Sequence, residues 1–326
     1  MFNIFNSLPK SLEEWLFANG ETIETGTEAD LIKEGKHPEY LYILLSGTVK
    51  VITAKGAEFV ELATLESGEM FGEMSFLESR PPVATIRPVT RCKILRLSRK
   101  KLSEALKNKP TVGKEFFQLT AQKLAAQLNS QNHFIHRWPG IDIEPVRKVL
   151  IIFSILSEID IEWISKNGTK QSYTQGEYLI RQGDPVPGLL IVLAGDAEVS
   201  IISQGSSQPV GSSRRGEFLG EMTLLGASDT ATASVRATTN MEIHEIDKAI
   251  LLTEFEKNEK FASRFYNSLS VLISQRLRDQ LRSRGFATRA FAEEDLDSDS
   301  LSIEQMSSIT TAGQRFEWLC QNILSP

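Results

Sequence analysis

The sequence predicts a mainly β protein with flanking helices, built from two tandem β rolls of the jelly-roll type. The octapeptide at 68–75, Gly-Glu-Met-Phe-Gly-Glu-Met-Ser, recurs at 216–223 as Gly-Glu-Phe-Leu-Gly-Glu-Met-Thr, 148 positions later (216 − 68). Short apolar runs separated by glycines surround each copy, a pattern typical of antiparallel rolls and sandwiches. Solenoid repeats have periods of roughly 20–50 residues, so self-similarity at this length indicates a duplicated domain.

The two copies stay in register well outside the octapeptide. Residues that recur at the same offset include Trp15 and Trp163, Gly20 and Gly168, Leu45 and Leu193, and Glu73 and Glu221. After the octapeptide the offset becomes 149, because Arg87 recurs as Arg236 (236 − 87). One residue has therefore been inserted in the loop that follows the second octapeptide.

Length and composition limit the class of protein. A chain of 326 residues has room for two domains at about 150 residues each. Its net charge of −6 argues against a protein that coats nucleic acid. Cys92 and Cys320 are its two cysteines, too few for a disulfide framework. Because we find neither a signal-peptide pattern nor an apolar run of membrane-spanning length, we expect a cytoplasmic protein with no membrane insertion.

Helices are predicted on both sides of each roll. Ser11 and Glu14 form a capping-box pattern ahead of the first helix. After the roll, Ser98 is expected to cap a helix over 99–109, and a longer helix with an apolar stripe follows it. The second copy repeats this order of elements.

A β roll that is flanked by helices and carries this repeated Gly-Glu motif resembles the cyclic nucleotide-binding domain. Domains of this family occur in the catabolite activator protein, in the regulatory subunit of cAMP-dependent protein kinase and in gated ion channels. The domain bounds that we predict from the resemblance are an N-terminal segment at 1–10, a first domain at 11–133, a linker at 134–152, a second domain at 153–285 and a tail at 286–326.

The resemblance implies that the loop containing each octapeptide is a phosphate-binding cassette. In the family, its glycine lets the backbone approach the ligand, its glutamate accepts a hydrogen bond from the ribose 2′-hydroxyl, and its arginine binds the cyclic phosphate. Here the glycine and glutamate are kept, but Pro82 and Ala231 stand where the family has arginine. The ligand-binding residues that we predict are Gly72, Glu73, Met74, Pro82, Val83 and Ala84 in the first cassette and Gly220, Glu221, Met222, Ala231, Thr232 and Ala233 in the second.

Loss of both arginines changes the expected ligand. A charge-assisted hydrogen bond is worth about 1.5–3 kcal/mol, so losing one weakens the binding of a cyclic phosphate by roughly tenfold to over a hundredfold. We therefore expect no cofactor and no ordinary sensing of cAMP or cGMP. Three interpretations stay open: an altered pocket for a nucleoside or non-standard nucleotide, contacted by Glu73 or Glu221; a dead pocket kept as an interaction module; or a cyclic nucleotide held by Arg80.

Other residues that carry chemistry have simpler explanations. His133 and His136 lack a cysteine or carboxylate partner and make a poor zinc site. The helix dipole explains the arginines near the end of the last repeat helix, namely Arg276, Arg278, Arg282 and Arg284, so we expect no nucleic-acid partner. We recognise no set of nucleophile, base and metal ligands, and we expect a protein that is not an enzyme and binds no metal.

The tail has two predicted parts. Residues 293–299 are acidic and polar, as expected for a flexible spacer. A short amphipathic helix follows, with an apolar stripe formed by Phe316, Leu319, Cys320 and Ile323 and with Trp318 alongside. The stripe indicates either a partner-binding surface, formed by Phe316, Trp318, Leu319 and Ile323, or a helix that folds back on its own domain.

These patterns predict a regulatory or adaptor protein that senses a nucleoside or non-standard nucleotide and relays it to a partner protein. The alternative is a ligand-free scaffold for protein–protein interaction. The closing helix from Phe261 to Arg284 carries apolar residues around much of its circumference. We therefore expect it to pack against a second surface, either a partner protein or another copy of this chain.

Overall fold

Two β rolls and the helices that flank them make up the described part of the chain. The computed structural model describes residues 2–132, 151–203, 205–287, 290–291 and 303–324. Strands from each repeat form their own pair of sheets, and helices follow the last strand of each roll. The predicted mainly β class, with two tandem rolls and flanking helices, is confirmed.

The first roll consists of antiparallel strands in two sheets. Its strands are β1 Glu21–Thr25, β2 Tyr40–Ser46, β3 Val49–Lys55, β4 Glu58–Leu65, β5 Met70–Phe71, β6 Thr85–Pro88 and β7 Cys92–Ser98. One sheet has the order β1-β7-β2-β5 and the other the order β4-β3-β6. Leu44, Val49 and Ile94 are buried in the core of the roll.

The helices of the first repeat are α1 Lys10–Asn19, α2 Glu73–Glu78, α3 Arg99–Asn108 and α4 Pro110–Asn132. The capping box predicted for α1 is wrong. The helix begins directly after Pro9, whose fixed φ of −61° suits the residue ahead of a helix, so Ser11 lies inside the first turn. There its hydroxyl donates to Glu115 at 2.6 Å. Ser98 precedes α3 as predicted, but its side chain makes no capping hydrogen bond.

The second roll repeats the first. Its strands are β8 Thr169–Tyr173, β9 Tyr178–Ile180, β10 Gly188–Ala194, β11 Asp196–Ser203, β12 Ser206–Arg214, β13 Phe218–Leu219, β14 Ser234–Ala237 and β15 Met241–Asp247. They form sheets in the orders β13-β10-β15-β8 and β12-β11-β14-β9. Val192, Val235 and Ile243 are buried in its core.

The helices of the second repeat and the tail are α5 Glu158–Lys166, α6 Glu221–Leu224, α7 Lys248–Lys257, α8 Glu259–Ser283 and α9 Ile303–Leu324. α5 begins with a capping box that we did not predict. The Ser157 hydroxyl accepts from the Asp160 amide, and the Asp160 carboxylate accepts from the Ser157 amide at 2.7 Å. The Asp247 carboxylate caps α7 by accepting from the amides of Ala249 and Ile250.

The chain divides into two compact units that are not contiguous in sequence. The first comprises Met1–Leu124 with Ile273–Leu301, and the second comprises Ala125–Leu272 with Ser302–Pro326. The divisions therefore fall inside α4 and α8. Ile273 and Leu277 of α8 are fully buried within the chain. Packing of this helix against a partner protein or another copy of the chain stays a prediction. The predicted contiguous bounds at 11–133 and 153–285 follow the repeats and stay a prediction.

The tail helix α9 folds back on the second unit. Phe316 and Leu319 are buried, and the rings of Phe316 and Phe153 lie 5.0 Å apart. The Arg315 guanidinium donates to three carbonyl groups over 153–156, whereas Trp318 is exposed. The apolar stripe therefore serves internal packing, and a partner-binding role for its residues stays a prediction.

Several predicted features lie outside the described residues. These are His133, His136, most of the linker at 134–152 and the acidic stretch at 293–299. Within the part of the chain that the structure describes, every helix is too short or too polar to cross a lipid bilayer.

His244 on β15 gives the second unit a predicted pH dependence. Its ring is fully buried, and Nε2 donates to the Ile164 carbonyl at 2.7 Å. Burial lowers the pKa of His244, and the hydrogen bond to Ile164 opposes this only in part. Because the unfolded chain then binds the proton more tightly than the folded chain, the free energy of unfolding should fall as pH decreases through and below about 6.5.

Chemical denaturation between pH 7.5 and pH 5 tests this expectation. The wild type should lose stability towards pH 5, and a His244→Gln variant should lose less over the same interval. His37, which is exposed, provides the matched control His37→Gln, which should keep the wild-type slope. Equal slopes for the wild type and His244→Gln would contradict the assignment.

Candidate functional site

Each cassette helix begins at a glycine in the left-handed conformation. Gly72, between β5 and α2, has φ of 89°, and Gly220, between β13 and α6, has φ of 84°. A Cβ atom on Gly220 would lie 2.7 Å from the Gly188 carbonyl oxygen. The two motif glycines therefore serve the backbone turn that aims each cassette helix.

The predicted ribose acceptor of the first cassette is paired with a lysine. Glu73 is the first residue of α2, and its carboxylate accepts a hydrogen bond from Nζ of Lys123 on α4. Both side chains are buried. Sequence reasoning missed Lys123, although a lysine four residues after Leu119 and seven after Phe116, on one apolar face of α4, was a signal that could have found it.

The second cassette lacks this lysine. Glu221 begins α6 and is as deeply buried as Glu73. The residue equivalent to Lys123 is Leu272 (272 − 123 = 149). The two cassettes therefore keep the same carboxylate, with a lysine at the α4 position of the first and a leucine at the equivalent position of the second.

The other end of α2 carries a second buried ion pair. Glu78, its last residue, lies 3.1 Å from Nε of Arg278 on α8, and both side chains are at most 3% exposed. Arg278 also donates to the Pro81 carbonyl at 3.2 Å through each terminal nitrogen, while Ser274 donates to Glu78. The helix dipole, by which we explained Arg278, does not account for its position, because its side chain is buried against Glu78 and Pro81.

The cassette loop after α2 is held by hydrogen bonds that use its carbonyl groups. The Pro82 carbonyl accepts from the Gly35 amide at 2.9 Å, and the Val83 carbonyl accepts from the Thr53 hydroxyl at 2.8 Å. Thr53 lies 3.2 Å from the carboxylate of Glu34, which also accepts from the Ala54 amide at 2.9 Å. The Glu34 carboxylate therefore lies close to the loop that contains Pro82 and Val83.

One oxygen of the Glu34 carboxylate takes no part in these contacts. Glu34 Oε2 accepts from the Ala54 amide and lies 3.2 Å from the Thr53 hydroxyl, whereas Glu34 Oε1 is buried and has no hydrogen-bond partner among the described residues. The second repeat shows that the structural role needs only one oxygen. Gln182, the equivalent residue (182 − 34 = 148), accepts from the Ile202 amide at 2.5 Å through its single amide oxygen.

Two further backbone contacts recur between the repeats. The Glu34 amide donates to Thr85, as the Gln182 amide donates to Ser234, each at 3.0 Å. The Gly183 amide donates to the Ala231 carbonyl at 2.9 Å, as its counterpart does to Pro82. The loops therefore share a backbone frame and differ in charge.

The remaining predicted site residues lie along the same loops. Pro82, Val83, Met222 and Ala231 are buried, and Met74, Ala84, Thr232 and Ala233 are half-buried. Arg80, which we considered as a substitute arginine, lies 3.8 Å from Glu78 and is partly exposed. Among the described residues, no group of three or more histidine, cysteine, aspartate or glutamate side chains is arranged to hold a metal ion. Ligand binding by these residues stays a prediction.

The pair between Glu73 and Lys123 should be needed for stability. A Lys123→Met variant leaves the Glu73 carboxylate buried without its cation, which should lower the free energy of unfolding by about 3–5 kcal/mol. The double variant Glu73→Gln/Lys123→Met leaves no buried charge and should lie close to the wild type. Chemical denaturation compares them, with exposed Lys107→Met as the control. A Lys123→Met variant as stable as the wild type would show that this pair does not hold the cassette.

Comparison with known proteins agrees with this geometry. The family model for the cyclic nucleotide-binding domain matches residues 25–109 and 170–258. A cAMP-dependent protein kinase regulatory subunit of Mycosarcoma maydis is 24% identical over 227 residues, which are 66% of this chain and 38% of that protein. This chain thus matches well under two thirds of that relative's length.

Solved structures of related regulatory domains also match. The regulatory domain of Toxoplasma gondii PKA, solved with cAMP, has 20% identity and a TM-score of 0.31, over 80% of this chain and 88% of that chain. The regulatory subunit of a cAMP-independent protein kinase A from Trypanosoma cruzi, bound to guanosine, has 16% identity and a TM-score of 0.29, over 79% and 87% of the two chains. Since the family model covers more than half of the sequence in two separate matches, the chain belongs to the cyclic nucleotide-binding domain family and carries two such domains in tandem.

Proposed function

We propose that this is a non-enzymatic regulatory protein whose first domain binds a nucleoside-like ligand without a cyclic phosphate and relays its presence to a partner protein. The observation that carries the proposal is the charge beside the first cassette loop. Pro82 stands in the arginine position, and the Glu34 carboxylate lies against Thr53, which holds the Val83 carbonyl.

Charge disfavours an anionic ligand at this position. A phosphate beside the Glu34 carboxylate would be repelled, and the repulsion grows where water is excluded. Arg278 lies near the loop, but its charge is matched by Glu78. A ligand hydroxyl or amino group has the opposite preference, because it can donate to the unused oxygen of Glu34.

The ion pair between Glu73 and Lys123 gives a bound ligand a way to affect helix α4. A carboxylate offers about four acceptor sites, so pairing with Lys123 leaves room for a ribose hydroxyl. A hydroxyl that donates to Glu73 reduces the charge available to Lys123 and so changes the interaction between α2 and α4. The ligand biases α4 only if it binds two positions of this helix with unequal affinity.

A partner protein and a cytoplasmic location complete the proposal. The Mycosarcoma maydis relative is named as a regulatory subunit of a protein kinase, which supports a protein partner for this chain. Cys92 and Cys320 are both free and buried, as suits a reducing compartment.

A second candidate function is a scaffold that takes no ligand. It is favoured by the internal pairing of Glu73 with Lys123 and of Glu78 with Arg278, which places a cation of the chain beside each of these two carboxylates of α2. Under this alternative, the rolls serve as protein-interaction modules.

Calorimetry with four probes separates these functions. We expect adenosine or guanosine to bind the full chain and cAMP and cGMP not to bind at physiological concentration. Pro82→Arg should raise the affinity for cyclic nucleotides by roughly tenfold or more, since it restores a charge-assisted hydrogen bond. The matched substitution in the second cassette is Ala231→Arg. Micromolar binding of cAMP or cGMP by the wild type would overturn the proposal, and no binding of any probe would favour the scaffold.

The Glu34→Gln variant tests whether the Glu34 carboxylate binds the ligand. Glutamine keeps the acceptor for the Ala54 amide, as Gln182 does in the second repeat, so stability should change little. It turns the unused oxygen into a donor, so nucleoside affinity should fall by roughly tenfold to a hundredfold. Gln182→Glu is the control and should leave this affinity unchanged. Equal nucleoside affinity for the wild type and Glu34→Gln would remove Glu34 from the site.

A further inference from the structure

The first unit includes a stretch of its own chain that lies against the predicted ligand site. This covering segment consists of residues 284–287 with Ala290 and Phe291. The Ala287 amide donates to the Thr53 hydroxyl at 3.1 Å. Ala287, Ala290 and Phe291 form one buried apolar cluster with Val83. The covering segment thus contacts both Val83, a predicted ligand-binding residue, and Thr53, which holds its carbonyl.

The conformation of the covering segment depends on these contacts. Gly285 turns the chain after α8 with φ of 70°, and Ala287 follows with φ of 56°. A left-handed conformation is unfavourable for alanine and persists where the surroundings hold it. The Lys55 ammonium lies 5.0 Å from the Phe286 ring, and the Arg282 guanidinium lies 5.2 Å from the Phe291 ring. Release of the segment would therefore let Ala287 relax.

The pair of Arg278 and Glu78 fixes the helix end from which the covering segment starts. Burying two charges costs about as much free energy as their attraction returns, so such a pair selects one arrangement more than it adds stability. Both partners can be solvated again if the helix end moves away from the cassette. The pair therefore acts as a reversible latch.

At the second cassette, the positions equivalent to Glu78 and Arg278 carry no charge. At the equivalent positions stand Gly226 (226 − 78 = 148) and Asn129 (278 − 129 = 149). The Asn129 side chain donates to the Ala227 carbonyl at 3.4 Å, a neutral and longer contact than those of Arg278. Among the described contacts at these equivalent positions, only those of the first cassette include a pair of opposite charges.

We propose that the covering segment is an internal occupant of the first site, held by the Arg278–Glu78 latch, and that ligand and segment exclude each other. The segment uses the hydroxyl of Thr53 and the apolar surface of Val83, so a ligand that reaches these residues displaces it. The expelled segment then presents Phe286 and Phe291 to a protein partner. The claim that a ligand displaces the covering segment rests on the proposed function. The claim that the segment occupies the site when no ligand is bound does not.

Hydrogen exchange of the full chain, followed by mass spectrometry, tests the occupancy without any ligand. Arg278→Gln and Glu78→Gln should each raise exchange in peptides covering 79–86 and 284–291 by at least tenfold. The double variant should exchange more slowly than either single variant, because it leaves no unpaired charge. Arg91→Gln is the matched control, because it makes the same charge change at a side chain that is 81% exposed and lies outside the cassette and the covering segment. If both single variants exchanged at the wild-type rate in these peptides, the Arg278–Glu78 pair would not hold the covering segment.

A milder variant covers the case in which the charge variants fail to fold. Thr53→Val keeps the size of the side chain and removes the acceptor of the Ala287 amide, so it should raise exchange at 284–287. Unchanged exchange there would refute the occupancy.

Addition of adenosine or guanosine to the wild type tests exclusion. The peptide over 79–86 should become more protected while that over 284–291 becomes less protected. Protection of both peptides together would contradict exclusion, because it would mean that the segment closes over the ligand. If neither nucleoside changes exchange anywhere, the proposed ligand class fails, and the variants alone decide the occupancy.

Discussion

Two buried ion pairs hold the short helix α2 of the first cassette, one at each end. Glu73 at its start pairs with Lys123, and Glu78 at its end pairs with Arg278. A buried carboxylate without its partner costs several kcal/mol, so α2 keeps this position only while both cations stay in place. These cations come from α4 and α8, helices that follow different rolls. The position of the cassette is therefore tied to the closing helices of both repeats.

Duplication preserved the backbone frame of the site and let its charges diverge. Arg99 donates to the Ser75 carbonyl at 3.0 Å, and its counterpart Lys248 donates to the Thr223 carbonyl at 2.7 Å. Around that shared frame, charged groups surround the first cassette where neutral residues stand at the equivalent positions of the second, although one of the charged groups, Arg278, comes from the second repeat. The pairs that differ are Glu34 and Gln182, Glu78 and Gly226, Lys123 and Leu272, and Arg278 and Asn129. We infer that the first repeat carries the regulated site and that the second contributes structure and Arg278.

The sequence was sufficient for the fold because the duplication is long and in register. The repeated octapeptide located the turns at Gly72 and Gly220, and the motif glutamates fall at the starts of the cassette helices. Local capping was harder to predict, since Pro9 starts α1 ahead of Ser11. These are short-range features, and their errors amount to a residue or two.

The charge partners of the site could not be predicted in the same way. Lys123 is 50 positions from Glu73, and Arg278 is 200 positions from Glu78 (278 − 78). Their pairing depends on where two long helices end, which no local pattern encodes. Glu34 was missed for a different reason, because its unused oxygen is visible only once the hydrogen bonds of Ala54 and Thr53 are known. A lysine on the same helix face as the apolar residues Phe116 and Leu119 is the signal in the sequence that pointed to Lys123.

Crystal structures of the full chain grown with guanosine and, separately, with cAMP test the central claim most directly. The account predicts that guanosine donates a hydrogen bond to Glu34, that residues 284–287 leave Thr53, and that cAMP is absent from the first cassette. A cyclic phosphate bound beside Pro82, with the segment still in place, would contradict it.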